Sequence, residues 1–246
     1  MSTLPRRRNR LRSVLIVAGV VLAALLGYLY SAGIFDRDPV HMFDAQGPRA
    51  PVAALYFSGD TGLRFGMGAA TTKLLAAHGI ETVGFNSSTM FRTRQTLAQT
   101  NTLIAEAVRQ ALARTGSRRI VLIGQSYGAD VLQTGLAALP ADLRARVAGI
   151  ILVVPGDTVF LRADPSGFVY RGTPDSMAVT TARTLDWAPL TCIYGVEETD
   201  SLCPLLHVRG AHVIGMPGGH FLNRDADALG AHVLRAVARS ITPVRP

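Results

Sequence analysis

The stretch Ile120 to Leu132, IVLIGQSYGADVL, carries an apolar run through Gly124, Ser126 and Gly128 into a segment with helical spacing. G-x-S-x-G by itself says little, because glycine-rich strand-to-helix turns with a capping serine are common. Its setting says more. A nucleophilic serine of this type needs a strand immediately before it and a helix immediately after, so that a strained turn lifts the hydroxyl above the sheet edge. RIVLI and ADVLQTGLAAL supply both. Side chains in place of the two glycines would collide with the neighbouring strand and helix. Ser126 is therefore the candidate nucleophile.

Similar apolar runs recur along the chain as VAALYF, ETVGF, AGIILVV, LTCIYG and AHVIGM. Several are too continuously apolar for strands with one wet face, which predicts a sheet covered on both faces. Helical patterns lie between them. In the 95–114 stretch Leu97, Ile104, Val108 and Leu112 keep one stripe, stopped by Gly116 and Ser117, and from Asp225 onward Leu229, Val233 and Val237 repeat every four residues. This alternation predicts an α/β fold, a mostly parallel, doubly wound sheet with helices on both faces. The interval Pro155 to Pro189 is long for a connection and mixes Phe160, Phe168, Tyr170 and Trp187 with glycine and proline. It reads equally well as part of a substrate rim or as an ordinary crossover helix over SMAVTTARTL with a ragged lead-in.

The N-terminus has its own signature. Residues 1–12 hold arginines at 6, 7, 8, 10 and 12, and residues 13–30 carry no charge. As a helix, those 18 residues would span about 27 Å, close to the thickness of bilayer hydrocarbon. The run exceeds a signal-peptide core and YSAG is a poor cleavage site, so an uncleaved transmembrane anchor is expected. Its basic flank should stay cytoplasmic and export the rest. Residues 31–50 read as a linker and 51–246 as the domain. Of the net charge of +8, five positive charges belong to the flank; the remaining 20 basic residues against 17 acidic ones leave about +3. No basic stripe with interleaved aromatics points to nucleic acid. A modest positive charge suits a domain beside anionic headgroups. The two cysteines, Cys192 and Cys203, lie close together in a chain read as exported, which predicts a disulfide.

A serine hydroxyl needs a base. His220, in the glycine-rich turn VIGMPGGHF after the last apolar run, satisfies the order serine, acid, histidine. The acid should follow a strand between the two, where CIYGVEETDSLCP offers Glu197, Glu198 and Asp200, with Asp200 and Glu198 the leading pair. Asp200 is slightly preferred, since a shorter carboxylate is more easily fixed. A Cys192–Cys203 bridge would pin this loop. The backbone amide of Tyr127, next after the serine, and those of Gly59 and Asp60 in YFSGDTG are the expected oxyanion donors. Asp130, one turn past Ser126, and Asp157 are candidate contacts for a cationic substrate group; helix caps are the commoner use of such residues. Nothing in this set calls for a metal or cofactor.

With YFSGDTG, GQSYGADVL, CIYGVEETDSLCP and MPGGHF in this order, the chain resembles the VirJ/AcvB bacterial virulence protein family over roughly residues 50–240. The resemblance implies an α/β-hydrolase fold and an envelope location. Ser126 matches the family serine, His220 the histidine of its GGHHF-like motif, and Glu198 and Asp200 its acid loop. Phe221 stands where that motif has a second histidine, and NSSTMF at 86–91 replaces a more aromatic, aspartate-led segment. Related members hydrolyse aminoacylated phosphatidylglycerol, and others are accessories of type IV secretion. The expectation is thus a serine hydrolase, N-terminus cytoplasmic and catalytic domain periplasmic, spanning the inner membrane once and acting on a membrane lipid or other ester. The alternative is a noncatalytic accessory that binds envelope or secretion-system proteins and keeps the fold.

Overall fold

The computed structural model describes residues 5–31, 35 and 37–241. Parts of the basic flank (1–4), of the linker reading (32–34 and 36) and of the domain's end (242–246) lie outside the described residues. Helix α1 (Pro5–Ser31) carries the apolar segment, and its stretch Asn9–Tyr30 is long and apolar enough to cross a membrane. Its side chains find no core of their own: Leu15, Val17 and Val21 are each exposed.

The domain is built on one sheet. Strands β1 (Val40–Phe43), β2 (Ala53–Phe57), β3 (Thr82–Phe85), β4 (Ile120–Gln125) and β5 (Val147–Val153) are joined by α2 (Gly66–Ala77), α3 (Ser87–Met90), α4 (Leu97–Thr115), α5 (Tyr127–Leu136) and α6 (Ala141–Arg144). The interval after β5 contains a two-residue antiparallel pair, β6 (Thr158–Val159) with β7 (Ser176–Met177), and α7 (Ala178–Ala182). Strands β8 (Leu190–Gly195) and β9 (His212–Met216) and helix α8 (Ala226–Ile241) complete the chain. The seven-stranded order is β1-β3-β2-β4-β5-β8-β9, parallel throughout except for β1.

Alternate residues of each strand face opposite layers, which explains the unbroken apolar runs. Leu55, Phe57, Leu122, Ile150 and Leu152 pack with Ile104 and Val108 of α4 and Val131 and Leu132 of α5. Ala54, Tyr56, Val121, Ile123, Ile151 and Val153 pack with Leu75 of α2 and Leu229, Val233 and Val237 of α8. Helix α4 starts on a capping box, Thr96 with Gln99, and ends at Gly116 in the left-handed conformation. The six strands expected from the sequence are β2, β3, β4, β5, β8 and β9.

One expectation needs correction. Within the interval read as a linker, Val40–Phe43 pairs antiparallel with β3, and Val40 and Met42 pack against the core. Proline and glycine on both sides hide a four-residue edge strand from any pattern argument. In the Pro155 to Pro189 interval the crossover helix is α7, short and partly buried, and the lead-in before it places Thr158, Phe160 and Tyr170 on the wall of the cavity that Ser126 also lines.

Cys192 of β8 and Cys203 are bonded, with Cα atoms 5.5 Å apart and a sequence separation of 11. Both are fully buried, so the bridge ties the loop after β8 into the core. Replacing both by alanine should cost about 3 kcal/mol of unfolding free energy on the loop-entropy model, read as a lower denaturant midpoint.

Candidate active site

Strand β4 ends at Gln125, and Ser126 turns the chain into α5 with φ 52° and ψ −129°. A non-glycine residue at positive φ carries strain of about 1–3 kcal/mol, retained only where the surroundings enforce it. The enforcement is visible. The Ser126 amide donates to the Val153 carbonyl at 2.8 Å, and its carbonyl accepts from Ala129 and Asp130 at 2.7 and 3.1 Å. The flanking glycines permit the turn to sit down: a Cβ on Gly128 would lie 2.2 Å from the Ser58 carbonyl oxygen, and one on Gly124 2.6 Å from Ala129 Cα.

His220 reaches the serine from the turn after β9, its Nε2 2.8 Å from Ser126 Oγ. Its Nδ1 meets Oε1 of Glu198. This arrangement suits a neutral ring that donates from Nδ1 to the carboxylate and accepts the serine proton at Nε2. The carboxylate on the ring is thus Glu198 and not Asp200, the residue the sequence argument slightly preferred. The reason lies in the turn: the Glu198 amide donates to Gly195 at 2.9 Å and the Glu197 amide to Gly218 at 3.0 Å, which draws the start of the acid loop against the histidine loop. Two residues further on, the Asp200 carbonyl accepts from the Asp157 amide at 2.7 Å, tying that position to the other side of the loop.

The hydrogen bond to Glu198 raises the His220 pKa above its ordinary 6.5, against burial, which lowers it. Tyr127 is the first residue of α5, and among the described residues its amide and that of Gly59 donate no hydrogen bond. A Cβ placed on Gly59 would stand 3.4 Å from Ser126 Cβ, so that turn lies against the serine. Of the two residues expected there, Gly59 is therefore the one placed against the serine.

The serine and histidine open into a cavity of about 420 Å³. Its wall includes Asp60, Asp130, Glu198 and Asp200, and among the described residues no lysine or arginine lines it. Asp130 receives the Gly156 amide on Oδ1 at 2.8 Å. Burial pushes the Asp130 carboxyl well above the usual carboxylate range and raises that of Asp60. Asp157 does not line the cavity; its backbone holds the loop, accepting from the Ala178 amide at 2.8 Å. Tyr170 was not singled out for a role by the sequence argument, although the aromatic interval containing it was. Its hydroxyl accepts from the Asp164 amide at 3.0 Å, and the residue lines the cavity with Asp60. Tyr28, from the end of α1, also lines the cavity. The signal for it was the aromatic pair closing an apolar helix.

The fold recurs among solved structures. Est1E from Butyrivibrio proteoclasticus aligns with a TM-score of 0.56 and 16% identity, covering 81% of this chain and 94% of that one. An alpha-beta serine hydrolase homologue from Coxiella burnetii gives a TM-score of 0.55 and 16% identity over 80% of this chain and 89% of its own. The Pyrococcus horikoshii acylaminoacyl peptidase gives 0.58 and 15% over 84% of this chain and 40% of its own. At these identities the likeness is one of fold, that of the α/β hydrolases. No curated protein matches the chain in sequence. The model of one family does match, over residues 51–241, and by that match the chain belongs to the bacterial virulence protein (VirJ) family.

Proposed function

We propose that this protein is a serine esterase, anchored by α1 with its domain on the periplasmic face of the inner membrane, that removes the aminoacyl group from aminoacylated phosphatidylglycerol of the lysyl type. The observation that carries the reading is the continuous chain Glu198, His220, Ser126 at a strained turn, opening into a cavity whose wall holds four carboxyl groups and, among the described residues, no lysine or arginine. Ser126 Oγ attacks the ester carbonyl as its proton passes to His220 Nε2. The amides of Tyr127 and Gly59 receive the oxyanion. Collapse breaks the ester C–O bond, and His220 returns its proton to the glycerol oxygen that leaves. Water, deprotonated by the same ring, then cleaves the aminoacyl-serine and frees the amino acid. Asp130 and Asp60 supply the negative charge that an ammonium on the acyl group would meet.

A fluorophosphonate probe should label the wild type and not Ser126→Ala; a folded wild type that stays unlabelled would point to the noncatalytic accessory role. Because a protonated ring cannot accept the serine proton, kcat/KM should fall as pH drops through a pKa above 6.5. In Glu198→Gln that limb should move to lower pH and kcat should drop on the order of 10³–10⁴-fold, both read from pH-rate profiles. The raised pKa of Asp130 has a separate signature. Protons compete with a cationic acyl group for this carboxylate, so KM for a lysyl ester should fall as pH rises. Asp130→Asn should raise that KM about ten-fold more than the KM of a neutral ester of the same alcohol.

A further inference from the structure

Helix α1 does more in this structure than end near the domain. The Tyr28 hydroxyl donates to the Pro165 carbonyl at 3.0 Å, and both residues line the cavity that holds Ser126. Arg64 Nη1 donates to the Tyr30 carbonyl at 3.2 Å, with its guanidinium 4.6 Å from the centre of the Tyr30 ring. Tyrosines at the end of an apolar membrane helix sit at the headgroup level. The contacts therefore place the cavity mouth at that level.

The rim has the composition such a position requires. Phe65, Phe168 and Phe221 are 64%, 71% and 69% exposed, unlike the buried phenylalanines of the sheet. Phe221 belongs to the cavity wall, and Phe65 shares an adjoining hollow with Phe221 and Arg224. Phe168 follows Ser166 and Gly167 of the wall, with the Arg171 guanidinium 5.2 Å from its ring centre. Aromatic side chains interleaved with arginines suit the boundary between acyl chains and anionic headgroups. Large apolar groups clustered at one mouth, by contrast, are unfavourable in water.

We infer that this rim, Phe65, Phe168 and Phe221 with Arg64, Arg171 and Arg224, is a docking surface for the bilayer in which α1 is anchored, and that it seats the cavity mouth on the headgroups. The inference rests on the anchored-esterase reading and deepens it. A basic, aromatic rim around an acidic cavity separates the two ends of an aminoacylated headgroup: the phosphate stays with the arginines, and the ammonium goes inward toward Asp130. Water-soluble esters gain nothing from the rim.

The test uses the full chain in vesicles of phosphatidylcholine and phosphatidylglycerol, some brominated high on the acyl chain. Trp187 precedes β8 at the opposite end of the sheet from the cavity and is the chain's one tryptophan, so it serves as the internal control. In Phe65→Trp and Phe168→Trp, brominated lipid should cut the emission of the added tryptophan about two-fold and leave that of Trp187 unchanged. No quenching of either probe in the folded protein would overturn the docking surface, whichever ester Ser126 cleaves. The double variant Phe65→Ser/Phe168→Ser should lose about ten-fold in hydrolysis of vesicle-borne aminoacyl-phosphatidylglycerol and keep its rate on a water-soluble ester. An equal rate on vesicles would also overturn it. Loss of the esterase reading would show differently, as quenched probes on a protein that Ser126→Ala leaves no less active.

Discussion

The strained backbone of Ser126 is what the rest of the site depends on. A positive φ at a residue with a Cβ survives only under compulsion, and here it comes from three sides: the Val153 carbonyl on the next strand, the first turn of α5, and the contact of Gly128 with the backbone of Phe57 and Ser58. The strain sets the hydroxyl at the sheet's C-terminal edge, and the same turn sets the Tyr127 amide at the start of a helix, where donors are unsatisfied. A candidate nucleophile and a candidate oxyanion donor thus arise from one local conformation. His220 and Glu198 have only to reach it.

They arrive on two loops stitched together. The Glu197 amide bonds Gly218, Glu198 bonds Gly195, and the Cys192–Cys203 bridge closes the acid loop against β8. Each link limits where the carboxylate can go, and the ring follows through its Nδ1. Carboxylate, ring and serine are therefore held on parallel strands β4, β8 and β9 of one sheet, whose spacing the backbone hydrogen bonds set.

Electrostatics divides the surface into two zones. Inside, Asp60 and Asp130 are half-buried and, among the described residues, no lysine or arginine joins them on the wall, so their carboxyls hold protons more tightly than in water. Outside, arginines stand among exposed phenylalanines. A ligand with one anionic and one cationic end meets complementary charge only in one orientation.

The apolar runs, the glycine spacing around Ser126 and the late GGH turn were legible in the sequence because each is a local pattern: strand period, turn sterics and chain order need no knowledge of distant residues. For the same reason the helices of 97–115 and 226–241 were visible from their stripes. The β1 strand escaped, since a four-residue edge strand draws its stability from its partner rather than its own composition. The choice between Glu198 and Asp200 also escaped. Both lie in one short loop, and which carboxylate meets His220 depends on how that loop packs against the turn after β9. The sequence by itself determined the sheet, the serine at its strained turn and the chain order of the residues that meet it. Only the tertiary structure decided the acid, the acidic cavity and the place of Tyr28 at its mouth, because these depend on contacts between segments far apart in the chain.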